Sequence, residues 1–156
     1  MILMIFSNPY NTLLGAVIGL ARATEGNEDL ITKSTHQALL KALTLSPDAP
    51  ETTISEIRML VREEKRKLVP NCFDCAMPCG RTDDFDPQVL LKEDTLIYSA
   101  KMELLQTLRT LAPNMDTSAS TLPHFYQSLC FIGYDYVTTE QIQKLKAAVL
   151  CKNDSL

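Results

Sequence analysis

The sequence has only two histidines, His36 and His124, and they stand far apart. No Cys–His nucleophile pair can therefore be argued from it. It has no G-x-S-x-G elbow, no glycine loop to cradle a phosphate and no H-E-x-x-H, which leaves conventional catalysis without its usual signatures. No stretch of four or more residues alternates convincingly with strand-forming types, and no internal repeat occurs. A sheet is therefore not expected. Long hydrophobic runs are missing too. The apolar stretch Leu13–Leu20 is too short to cross a bilayer. No Lys or Arg precedes it, and Asn8-Pro9 interrupts the apolar N-terminal region early, before this stretch begins. Although Ala21-Arg22-Ala23 mimics a cleavage site, a secretory leader is not expected. Gly15 and Gly19 stand four apart in this stretch, so its small residues suit a buried helix that a neighbour approaches closely. The net charge of −4 gives no overall pull towards nucleic acid or an anionic membrane.

What is present is ordinary for a folded chain. At 156 residues, with 46% hydrophobic and 22% charged, it is long enough for one domain with a proper core, spanning 1–156. Five cysteines cannot all pair internally. A domain of this size needs no staples, so reduced thiols and a cytoplasmic setting are expected.

The apolar periodicity predicts helices throughout. The first runs from about Tyr10 to Ala23 and is broken at Gly26-Asn27. A second is expected over Glu28–Leu45, with Asn27 as its cap and Ile31, Thr35, Ala38, Leu39, Ala42 and Leu43 on one face. Thr53-Ile54-Ser55-Glu56 reads as a capping box opening the third helix. That helix turns Ile54, Ile57, Leu60, Val61 and Leu68 inward, leaves Arg58, Arg62, Lys65, Arg66 and Lys67 on the rest, and stops at Pro70. The fourth starts at about Val89 or Glu93 and ends at Ala112. Its stripe is Ile97, Ala100, Leu104, Leu108 and Leu111, widened by Leu96, Leu105 and Ala112. A short helix over Pro123–Ile132 and a last one opened by the Thr138–Gln141 capping box complete the chain. The expected fold is all-α, a single-domain bundle of about five to six helices with a cysteine-containing loop, 70–82, between helices 3 and 4.

That loop carries the most chemistry. Cys72-Phe-Asp-Cys75-Ala-Met-Pro-Cys79 reads C-x2-C-x3-C and runs into Gly80-Arg81-Thr82. Thiolates are soft ligands, and close spacing lets one loop offer several to the same ion or cluster. Cys72, Cys75 and Cys79 are the candidate metal ligands. Tetrahedral zinc and iron–sulfur clusters usually take four protein ligands, and only three lie here. A fourth would come from Cys130, Cys151, His36 or His124, from a non-cysteine group, or from a partner chain. Each of the four has a blander role as a core, terminal, surface or capping residue. The cations Arg62, Lys65, Arg66, Lys67 and Arg81 flank the loop and would stabilise thiolates, or simply form a solvated helix face. Asp83, Asp84 and Asp86 read as a solvated, helix-preceding turn, and Glu25, Glu28 and Asp29 as helix-dipole partners.

The segment from Cys72-Phe-Asp-Cys75 through Cys79-Gly80-Arg81-Thr82 to Leu96-Ile97-Tyr98-Ser99-Ala100-Lys101 resembles the N-terminus of hybrid-cluster proteins, the hydroxylamine reductases. The resemblance covers residues 72–105. It implies that Cys72, Cys75 and Cys79 match that family's ligands to a conventional iron–sulfur cluster. The family uses four cysteines over a longer span and binds its catalytic cluster in later domains, so reductase activity is not carried over.

The function expected is therefore a small helical metal- or iron–sulfur-binding protein, serving electron transfer, redox sensing or structure. Its cofactor would be an iron–sulfur cluster, or zinc in its place. The alternatives are a thiol–disulfide protein using Cys72 and Cys75, and a helical interaction module without metal. A redox or protein partner is implied and a homo-oligomer stays open, whereas nucleic acid and membrane are not expected partners.

Overall fold

The computed structural model describes residues 8–69, 84–118, 120–134 and 137–154, and among these the fold is all-α, with no strand. Its six α-helices are α1 (Asn8–Thr24), α2 (Lys33–Thr44), α3 (Glu51–Leu68), α4 (Thr95–Leu111), α5 (Leu122–Ile132) and α6 (Thr139–Asp154). Short 3₁₀ turns occupy Glu28–Leu30, Pro87–Lys92 and Ala112–Asn114.

Helix α1 is apolar on nearly every side because it is buried on nearly every side. It packs against both α3 and α5, while α2 lies on α3 and α4 on α6. Leu13, Val17, Leu20 and Ala21 enter a cluster shared with Leu39, Ile54, Leu104, Phe125, Ile142 and Val149, so one apolar core draws on all six helices. At the end of α1, the Thr24 hydroxyl donates to the Ala21 carbonyl at 2.6 Å and the Asn27 amide to the Ala23 carbonyl at 2.9 Å. These bonds satisfy carbonyls the helix leaves open. Gly26, at φ 80°, then reverses the chain.

Several boundaries differ from the sequence reading. The expected second helix is split, because its cap is Thr32 and not Asn27. Thr32 and Thr35 exchange side-chain-to-backbone hydrogen bonds in a capping box, while the Asn27 amide is spent on Ala23. Helix α3 begins at Glu51, directly after Pro50, so Thr53 lies inside it and caps nothing. Pro50 stands at its N-cap without a side-chain cap, and the acidic Glu51 in the first turn suits the positive end of its dipole. Helix α4 starts later than expected, at Thr95, after a separate 3₁₀ turn. Asp94 caps it by accepting from the Leu96 N–H at 2.9 Å. Leu96, expected to widen the apolar stripe, is 71% exposed in that first turn. The Thr138–Gln141 box holds as read, with the Gln141 N–H donating to the Thr138 hydroxyl at 3.2 Å.

Polar side chains tie the helices where sequence spacing gives no hint of it. The Arg109 guanidinium donates to the Leu45 carbonyl at the end of α2, 3.2 Å away, and lies over the Tyr10 ring at 5.1 Å. Burial pushes the Tyr10 phenol up to about 12, with Arg109 pulling the other way. Glu64 of α3, 3% exposed, accepts from Thr35 (3.0 Å), Ser34 (3.1 Å) and Lys67 (2.8 Å), bracing the first turn of α2 against α3. Burial alone would raise its carboxyl, but these bonds outweigh it and hold the group below the usual carboxylate range. A carboxyl lowered in the folded state stabilises the fold above the ordinary carboxylate range, and that stability is lost as pH falls through it. Glu64→Gln is therefore expected to make urea unfolding less sensitive to acid between about pH 5 and pH 3. Equal acid sensitivity in the two proteins would contradict this reading. Among the described residues, no helix is long and apolar enough to cross a membrane.

Candidate functional site

The three candidate ligands Cys72, Cys75 and Cys79 lie outside the described residues. What the structure does place is the helix that leads into their segment and the chain that leaves it. Helix α3 ends at Leu68, and the Val69 N–H still bonds the Lys65 carbonyl at 3.2 Å. The chain is next seen at Asp84, whose carboxylate lies 2.7 Å from Lys65, 3.2 Å from Arg58 and 3.9 Å from Arg62. Those cations sit at i, i+4 and i+7, one stripe of α3. Phe85 then donates its N–H to the Gly15 carbonyl of α1 at 3.0 Å. A Cβ on Gly15 would land on the Phe85 carbonyl oxygen. The spacing of Gly15 and Gly19 suggested close approach, and at Gly15 the approaching neighbour is the chain that follows the cysteine segment.

Two expectations change here. Asp84 is not part of a solvated turn but the shared anion of an ion-pair cluster. Lys65 is not on a solvated basic face. It is only 3% exposed, because Asp84 arrives to meet it. Arg66 and Lys67 do point to their own helix's carboxylates, Glu63 at 2.7 Å and Glu64 at 2.8 Å. Asp86 caps the 3₁₀ turn at Pro87–Lys92 by accepting from the Gln88 N–H at 3.0 Å. Around Asp84 three cations face one carboxylate, and Asp86 shares a small cleft with Arg58 and Asp84, so the balance beside the residues that flank the cysteine segment is positive. Such a field favours thiolates and anionic clusters.

The residues offered as a fourth ligand are scattered. Cys130 of α5 is buried, and its Sγ lies 3.0 Å from the Ala21 carbonyl. Burial, with Glu25 adding to it and Arg22 opposing, pushes its thiol up to about 12. It serves the core, where free cysteine is at home. Iodoacetamide at about pH 8 is expected to spare Cys130 in the folded protein and label it after unfolding, as read by peptide mass mapping. Labelling of the folded protein at the same rate would refute its placement. His36 of α2 engages the Tyr126 hydroxyl through Nδ1 at 2.9 Å, and burial lowers its pKa. His124 has a buried Nδ1 with no hydrogen-bond partner, and Cys151 falls on the last turn of α6. Among the described residues, no three His, Cys, Asp or Glu side chains are grouped to hold a metal ion.

Sequence reasoning gave no sign of a cleft of about 720 Å³ formed by the end of α1, the turn after it, α2 and α5. Glu25, Glu28, His36, Tyr126, Phe131 and Tyr134 line it, and Cys130 is in its wall. Comparison with protein-family models, with curated proteins and with solved structures returns no match to this chain.

Proposed function

We propose that this chain is a small helical metal-binding protein whose ion or iron–sulfur cluster is held by Cys72, Cys75 and Cys79. The observation that supports this most is the C-x2-C-x3-C spacing in a segment that starts and finishes beside a cationic patch. Thiols bind metal only once deprotonated, so the positive charge of Arg58, Arg62 and Lys65 would favour the ligand form of these cysteines. Anchoring at Asp84 and Phe85 also lowers the ordering cost of closing a loop round an ion. A bound cluster would serve electron transfer or redox sensing, and zinc would serve structure.

Anaerobic purification followed by a visible spectrum tests the reading. A brown protein that bleaches in Cys75→Ser is the expected result for a cluster. A colourless protein that releases zinc on mercurial titration of its thiols, and loses that zinc in Cys75→Ser, is the expected result for a structural site. A spectrum and metal content identical in the two proteins would sink the proposal. Reversible oxidation of Cys72 to Cys75 without metal would support disulfide chemistry in its place.

A further inference from the structure

The cleft between the end of α1, α2 and α5 has a chemical character of its own. Two carboxylates stand at its rim, and both are pinned. Glu25 accepts a hydrogen bond from the Tyr134 hydroxyl, and Glu28 accepts one from the Gly26 N–H at 2.9 Å. Each keeps unused acceptor capacity, since a carboxylate offers about four lone-pair sites. The walls are aromatic. Phe131 and Tyr134 meet edge to face with centroids 6.5 Å apart, and His36 and Tyr126 lie tilted at 5.5 Å. Ile31 and Pro123 add apolar surface. No Lys or Arg is among the lining residues. Arg22, the cation close to Cys130, packs its chain towards Gly133 and outside that lining.

Aromatic faces and fixed carboxylates share one electrostatic preference, for positive charge. Anions would meet two carboxylates and no Lys or Arg in the lining, with Arg22 behind the Cys130 wall, and a neutral apolar ligand would leave the rim unused. The volume falls within the range of small-molecule sites, roughly 300–1,000 Å³. We infer that this cleft binds an amphipathic organic cation, an aryl- or alkylammonium compound. Its charged head would lie at Glu25 and Glu28 and its apolar body against Phe131, Tyr134 and Tyr126. The inference stands apart from the cysteine segment and does not need it to hold metal.

Titration of the full chain with benzyltrimethylammonium at low ionic strength, followed by amide NMR, tests it. Saturable shifts centred on Gly26, Phe131 and Tyr134 are expected, with half-saturation below about 1 mM. Phenylacetate, of similar shape and opposite charge, is expected to bind at least about tenfold more weakly. Glu25→Gln combined with Glu28→Gln removes only exposed charge and should weaken the cation about tenfold. The inference is overturned if the cation fails to saturate by about 10 mM, if phenylacetate binds as well, or if the double variant keeps wild-type affinity. The wild-type comparison of the two probes decides the matter even if the double variant unfolds.

Discussion

Lys101→Met is expected to destabilise the fold by about 3–5 kcal/mol, a large share of the stability of a domain this size. Lys101 is fully buried in the core side of α4. Its ammonium donates to Glu93, 8% exposed, at 2.5 Å and to the Tyr134 carbonyl at 2.7 Å. It thereby fastens the start of α4 to the end of α5. Removing the cation alone strands a buried carboxylate, and the cost comes from that stranded charge more than from the lost pair. The double change Glu93→Leu with Lys101→Met should therefore recover most of the loss, because two apolar side chains of similar volume replace both charges. Urea unfolding of the two variants checks both signs. If the double variant is as unstable as the single one, packing and not charge pairing explains the site.

Gly15→Ala is the second large effect, and its sign depends on comparing magnitudes. Alanine inside a helix gains up to about 1 kcal/mol over glycine. Here the new methyl would fall on the Phe85 carbonyl oxygen, a backbone atom that cannot swing away, and overpacking of that kind costs about 1–3 kcal/mol. The Phe85-to-Gly15 hydrogen bond would be lost as well. A net loss is expected, together with displacement of Asp84 from Arg58, Arg62 and Lys65. Gly133 is a useful contrast. Its Cβ would meet the buried Ile18 Cγ2 at 2.8 Å, the flexible Arg22 chain at 3.3 Å and a backbone atom, the Cys130 carbonyl oxygen, only at 3.4 Å, whereas at Gly15 the backbone oxygen itself is struck. Gly133→Ala should cost less than Gly15→Ala in the same thermal melt. The reverse order would mean that the contact at Phe85 does not constrain the chain after the cysteine segment.

The helices were legible because their stripes are local. Ala100, Leu104 and Leu108 recur at the helical period and are all buried. Lys65 and Lys101 were not legible. Their burial depends on Asp84 and Glu93, partners that tertiary folding brings to them and no helical spacing predicts. Helix starts failed where two caps competed, as at Asn27 and Thr32, because the winner depends on which side chain is already engaged. The cleft was invisible for a related reason. Glu25, His36, Tyr126 and Tyr134 are separated along the chain and meet only once α1, α2 and α5 are packed. The cysteine segment is the opposite case: what is proposed for it rests on the spacing of Cys72, Cys75 and Cys79 in the sequence, and the structure adds only the flanking α3 and Asp84.

The most direct measurement is the content of iron, zinc and acid-labile sulfide per chain in protein purified without oxygen. The account predicts either iron and sulfide in matching stoichiometry or about one zinc per chain. A metal-free protein with Cys72, Cys75 and Cys79 all freely reactive, and no metal taken up on reconstitution, would contradict it.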